Sequence, residues 1–223
     1  KKIIYKKNDM LSKLIISGIL GCTILLAGCK TNESGGNFTV SGNIKNAENQ
    51  QLLLQEVPYG GKAIITLDSI TIDKEGNYEF QFIAKQEGIY RLATDKEFEI
   101  IFINDDENIK ISADASNYST FSVKGSNSTS SLFEFLKQYR QKDSSLFATL
   151  YSLDALQKQN GKDSTIFWLQ KQKVEKIKNL NDFVETSITS ATSPAFIYYT
   201  LGLGLRSMES AKILALAKIS SCP

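Results

Sequence analysis

The stretch LDSITIDKEGNYEFQFI, Leu67 to Ile83, reads as two strands joined by a tight turn, and that reading sets the class of the N-terminal half. Tyr78, Phe80 and Phe82 alternate with Glu79, Gln81 and Ile83, the two-residue period of a strand with one face turned to a core. Between the strands, DKEGN (Asp73–Asn77) places Gly76 where a hairpin turn asks for positive φ.

Outward from this hairpin the same grammar repeats. FTVSGNI alternates Phe38, Val40 and, past a glycine, Ile44, while QLLLQEV (Gln51–Val57) is apolar and ends at Pro58. GIYRLAT, FEIIFI, NIKISAD and YSTFSVKG continue it, with NDDEN (Asn104–Asn108) between two of them. Eight or nine short strands at regular spacing predict an antiparallel β-sandwich or barrel-like domain over residues 37–125. At GSNSTSS (Gly125–Ser131) the period becomes helical. Ser131 and Glu134 fit a capping box, and Leu132, Phe133, Phe135, Leu136 and Tyr139 follow at helical spacing. Further helices are expected from Asp143 to about Gln159, from Thr165 to Glu185, from Pro194 with Ser193 as N-cap, and over SMESAKILALAK. Residues 126–223 thus read as an all-helical connector region, and the chain as α+β.

The 223 residues include 26 basic and 24 acidic side chains, but five lysines and one acid lie in residues 1–28, leaving 21 basic and 23 acidic beyond them. No basic stripe remains, so nucleic acid is not an expected partner. There is no histidine, which removes Ser-His and Cys-His nucleophile pairs and the commonest zinc ligand.

The leader is a basic segment, KKIIYKKNDMLSK, then an apolar run, LIISGILGCTILLAG, of the length a secretory signal needs and short of a membrane span. Its end, Leu26-Ala27-Gly28-Cys29, resembles a bacterial lipobox. The resemblance implies that residues 1–28 are a signal peptide cleaved between Gly28 and Cys29. It also implies that the Cys29 thiol carries diacylglycerol, that the new amino terminus is acylated, and that residues 29–36 form a flexible tether. Membrane lipid held through Cys29 is then the first expected partner and a periplasmic protein the second. Lys30 is not an inner-membrane retention aspartate, so the expected place is the cell envelope, on the outer membrane facing the periplasm.

Residues 37–140 widen the resemblance. The LDS…D..G.YEF hairpin and the VKGS ending before a helix look like the domain of unknown function that precedes a TlpA-like thioredoxin domain in Bacteroidetes-type thiol-disulfide interchange lipoproteins. That family implies a helical connector, then a thioredoxin fold with W-C-x-x-C. This chain reaches AKISSCP without that motif, which reads as a product truncated before the thioredoxin domain. The expected function is a non-catalytic spacer and interaction module. One alternative is the front part of a thiol-disulfide oxidoreductase whose catalytic domain lies beyond residue 223. The other is a periplasmic or surface binding lipoprotein.

No catalytic residue, cofactor or metal ligand is expected. Cys222 is the only thiol left once Cys29 is acylated, and exchange chemistry needs two. The acidic turns at Asp73, Glu75 and Asn77 and at Asp105, Asp106 and Glu107 lack the spacing of a calcium loop. Trp168, Tyr198 and Tyr199 read as core aromatics, GLGLR (Gly202–Arg206) as a helix end, and KQKVEKIKN as a solvated helix face. Asp68-Ser69-Ile70 and Asp163-Ser164-Thr165 are similar to short bacterial O-glycosylation triplets, the second expected in a loop.

Overall fold

The computed structural model describes residues 36–96, 98–117, 121–159 and 162–220. Eight strands are formed among them: β1 (Gly36–Lys45), β2 (Gln51–Glu56), β3 (Ile65–Thr71), β4 (Asn77–Ala84), β5 (Ile89–Thr94), β6 (Glu99–Ile103), β7 (Asn108–Asp114) and β8 (Phe121–Lys124). They make two four-stranded sheets, ordered β4-β1-β7-β8 and β3-β2-β5-β6. The sheets stay separate and face each other, so the architecture is a sandwich and not a barrel. Alternation supplies its interior: Val40 and Ile44 from β1, Phe80 from β4, Ile109 and Ile111 from β7, Leu52 and Leu54 from β2, and Leu92 and Phe102 from β5 and β6. Each fully buried side chain of this size contributes roughly 1.5–3 kcal/mol from the area it removes from water.

One pairing departs from the antiparallel expectation. β1 runs parallel to β7, in register from Thr39↔Asn108 to Lys45↔Asp114, and antiparallel to β4 on its other side. The connection from β1 to β7 travels through the second sheet, so no hairpin constrains their direction. The close approach needs Gly42, because a Cβ there would stand 1.7 Å from the Ile111 carbonyl oxygen. The same oxygen accepts a 3.0 Å hydrogen bond from the buried Tyr78 hydroxyl, whose ionisation burial pushes strongly upward.

The tight turn forms, but not as a hairpin: β3 pairs with β2 and β4 with β1, so Asp73–Asn77 carries the chain from one sheet to the other. Gly76 has φ of 84°, and the Asp73 carboxylate accepts from the Glu75 and Asn77 backbone N–H groups at 2.9 and 2.6 Å. Those bonds hold the carboxyl below its ordinary 3.8.

The β3-β2-β5-β6 sheet is a middle layer. Tyr90, Leu92 and Phe102 point into the sandwich, while Ile89 and Ile103 join a second core with the helices. These are α1 (Asn127–Lys158), α2 (Asp163–Ser190), α3 (Pro194–Gly204) and α4 (Ser210–Ser220). Two expectations are corrected. α1 starts at Ser126, not Ser131, because the Ser126 hydroxyl accepts from the Thr129 N–H at 2.9 Å. It also runs unbroken through the polar Arg140–Ser145 stretch, since Tyr139 and Leu146, seven residues apart, keep the buried face aligned. The Ser193 cap and the first-turn Pro194 of α3 form as expected, with Phe196 N–H donating to the serine hydroxyl at 3.1 Å. Every residue of the two cores lies between Phe38 and Leu216. Among the described residues no helix is long and apolar enough to cross a membrane.

Candidate functional site

The polar groups of this fold converge where the sandwich meets the helices. β6 is an edge strand, so Ile103 has an N–H and a carbonyl facing outward with no neighbouring strand. Thr129, in the first turn of α1, fills that place. Its hydroxyl accepts from the Ile103 N–H at 2.9 Å and donates to the Ile103 carbonyl at 3.1 Å. Asp105 caps the same helix, one carboxylate oxygen taking the Ser128 N–H at 2.8 Å while the other is buried without a partner. A carboxylate among free N–H groups at a helix start is favoured by the helix dipole.

The second clamp is Glu87, in the loop between β4 and β5. One of its carboxylate oxygens accepts from the Ser193 hydroxyl and, at 2.9 Å, from the Ala195 N–H at the start of α3. Asn104, 3% exposed, fixes that loop by accepting from the Gly88 N–H at 2.6 Å and donating to the Gln86 carbonyl at 3.2 Å. The Tyr59 ring lies against that of Tyr198 of α3, with centres 5.1 Å apart and planes tilted by 45°. Burial first, then the Glu87 charge, drives its ionisation upward. The helices are therefore bolted to the sandwich at two helix N-termini. Glu87→Ala is expected to cost about 1–2 kcal/mol in a urea titration, because it strips an N-terminus of its acceptor. Adding Ser193→Ala should cost about 1 kcal/mol more, less than its effect alone, since it shares the Glu87 bond but also removes the acceptor of the Phe196 N–H.

Between the α1 start, the α2 end and the α3 start lies a groove of about 570 Å³, lined by Ser130, Glu134, Phe135, Ser187 and Ser190 among others. The Ser130, Ser187 and Ser190 hydroxyls each donate at 2.8 Å to a carbonyl of their own helix stretch. Their remaining capacity toward the groove is as acceptors.

The residues singled out from sequence are scattered. Gly28, Cys29 and Cys222 lie outside the described residues. Asp73 and Asn77 bond to each other within their turn, Asp106 accepts from the Asn108 N–H at 3.1 Å, and Asp105 is a helix cap. No group of three or more metal-ligating side chains occurs among the described residues. Trp168 and Tyr198 are exposed rather than core, at 55% and 52%. Tyr199 is half-buried. GLGLR is the end of α3, as read. Asp163-Ser164-Thr165 is the first turn of α2 rather than a loop, since the Thr165 and Ile166 N–H groups already bond the Lys162 carbonyl. Asp68-Ser69-Ile70 lies on the edge strand β3. Sequence reading missed Glu87 and Thr129, both ordinary polar residues without a motif.

Residues 38–132 match a family model described as "Domain of unknown function (DUF4369)". The matched stretch takes in the sandwich from β1 onward and the α1 turn that carries Thr129. No curated protein matches the chain. A solved structure described as "Crystal structure of (S)-allantoin synthase" aligns with a TM-score of 0.29 and 8% identity. The alignment covers 43% of this chain and 46%, less than half, of that one; a likeness so slight carries no argument.

Proposed function

We propose, starting from that domain match, that the chain is a membrane-anchored lipoprotein whose sandwich and helices act as a non-catalytic spacer and interaction module. The observation that supports this reading is the double clamp. Thr129 on Ile103 and Glu87 on Ser193 and Ala195 fix two helices at set positions on the sandwich, which is what a part that positions something else requires. The finer reading is that the module belongs to the thiol-disulfide interchange lipoproteins, holding a thioredoxin-like domain in longer relatives. It draws on the hairpin and VKGS resemblance together with the domain match. The anchor draws on Leu26-Ala27-Gly28-Cys29.

Growth with a clickable palmitate analogue tests the anchor. Wild-type chain should be labelled and should sediment with membranes. Cys29→Ala should lose both, because the acyl chains contribute about 0.8 kcal/mol per buried CH₂. Label that survives the substitution overturns the assignment. Insulin reduction by the purified chain above a single-thiol control overturns the non-catalytic half.

A further inference from the structure

We infer that the distal half of the α1–α2 hairpin is a docking surface for an anionic lipid membrane. The hydrogen bonds of Lys176 to the Ser145 carbonyl, 3.1 Å, and to the Thr149 hydroxyl, 2.8 Å, set the level of the two antiparallel helices. They bring the stretch around Phe147 beside the stretch around Val174. The sheet clamps α1 near Thr129, and α3 and α4 cover α2 near Leu180 to Ile188, so among the described residues the two helices have only each other beyond this level. There, large apolar side chains point outward. Phe147 is 68% exposed, Tyr151 70%, Phe167 70% and Trp168 55%. Phe147 and Tyr151 are one turn apart on α1, and Phe167, Lys171 and Val174 share a stripe of α2.

Charge decides what occupies this surface. Residues 144–178 hold six lysines against three acids. Residues 29–143 and 179–223 together hold fifteen basic and twenty acidic side chains, so the positive end stands out from an acidic body. Lys158 and Lys178 pair with Asp154 and Asp182, whereas Lys162, Lys171 and Lys173 form no ion pair among the described residues. A second copy would set lysine against lysine, which charge opposes. An anionic lipid surface satisfies both features. Its phosphates take the lysine ammonium groups, and its acyl boundary takes rings that are apolar in the body and polar at the tip. This contact holds with or without acylation of Cys29.

The test uses the segment from Lys30 to Pro223, which contains every residue of both cores and lacks the acylated cysteine. Flotation with vesicles of phosphatidylglycerol and phosphatidylcholine in equal parts is compared with phosphatidylcholine alone. Trp168 is the only tryptophan, so its emission reports on the surface itself. Partition into the anionic vesicles should be at least tenfold stronger and should weaken with salt, with Trp168 emission moving to the blue and quenched by brominated acyl chains. Lys171→Glu with Lys173→Glu should lower partition about tenfold or more. Tyr151→Ser with Phe167→Ser should abolish the blue shift, and circular dichroism should stay unchanged in both variants. Absence of partition, equal and salt-independent partition into both vesicles, or a Trp168 shift that follows protein concentration without lipid overturns the inference. The last outcome would assign the surface to a second copy. Failure here leaves the Cys29 labelling result untouched, so the two readings fall separately.

Discussion

Gly125→Ala is expected to lower unfolding stability by about 2–4 kcal/mol, one of the largest single-residue losses outside the cores. Two penalties act at this position. Its φ is +82°, in the left-handed region that costs an alanine about 1 kcal/mol. A Cβ there would also sit 2.1 Å from the Asn108 carbonyl oxygen and 3.2 Å from its carbon, both backbone atoms of the strand start that β8 must lie against. Neither can be rotated away. Relief requires moving the end of β8, and the next residue is Ser126, the cap of α1 whose first turn grips Ile103. The measurement is a urea unfolding curve beside that of Gly61→Ala. Gly61 has a similar φ of +73° with nothing within 4 Å of its added Cβ, so it carries the conformational penalty alone. Gly125→Ala should unfold earlier than Gly61→Ala by at least about 1 kcal/mol; equal midpoints would remove the collision from the account.

Phe135→Ala should cost about 3–5 kcal/mol, and the loss should fall on the helical layer before the sandwich. Phe135 is the hub of the second core. Its ring stacks on Phe183 of α2 at 5.2 Å and 6°, meets Phe196 of α3 edge-on at 5.6 Å, and lies 5.8 Å from Tyr139 of its own helix. Truncation leaves a cavity among three helices at once. The sheet containing β1, β4 and β7 contributes no residue to this core. Hydrogen exchange should therefore quicken in the second half of α2 and in α3 while amides of β1 and β7 keep their protection. Uniform quickening across both layers would show that the middle sheet couples the two cores into one unit.

The strands were legible because alternation is a local signal, and Tyr78, Phe80 and Phe82 announce β4 without knowledge of its partner. The class followed, and so did the Asp73–Asn77 turn and the Ser193 cap, whose chemistry is complete within five residues. What stayed hidden depends on distance along the chain. The partner of Glu87 is 106 residues away, and that of Thr129 is a strand edge known only once the sheet order is known. The true α1 cap was masked by a serine-rich run in which Ser131 and Glu134 make an equally good box; Ser126 wins because its neighbour Thr129 also bonds β6. Trp168 and Phe147 carry helical spacing like any core residue. Periodicity cannot tell whether another element arrives to cover them, and here none does among the described residues.

The position of β1 has a consequence for how the chain acquires this structure. β1 is made first yet lies inside its sheet, between β4 and a β7 whose paired residues come 69 positions later. Synthesis delivers residues in order, so β1 must wait with one edge bare until Asp114 has emerged. High contact order of this kind slows folding and prolongs exposure of unpaired strand edge. The sandwich therefore closes late, once β7 is available, and the helices that follow dock onto a β6 edge made before them.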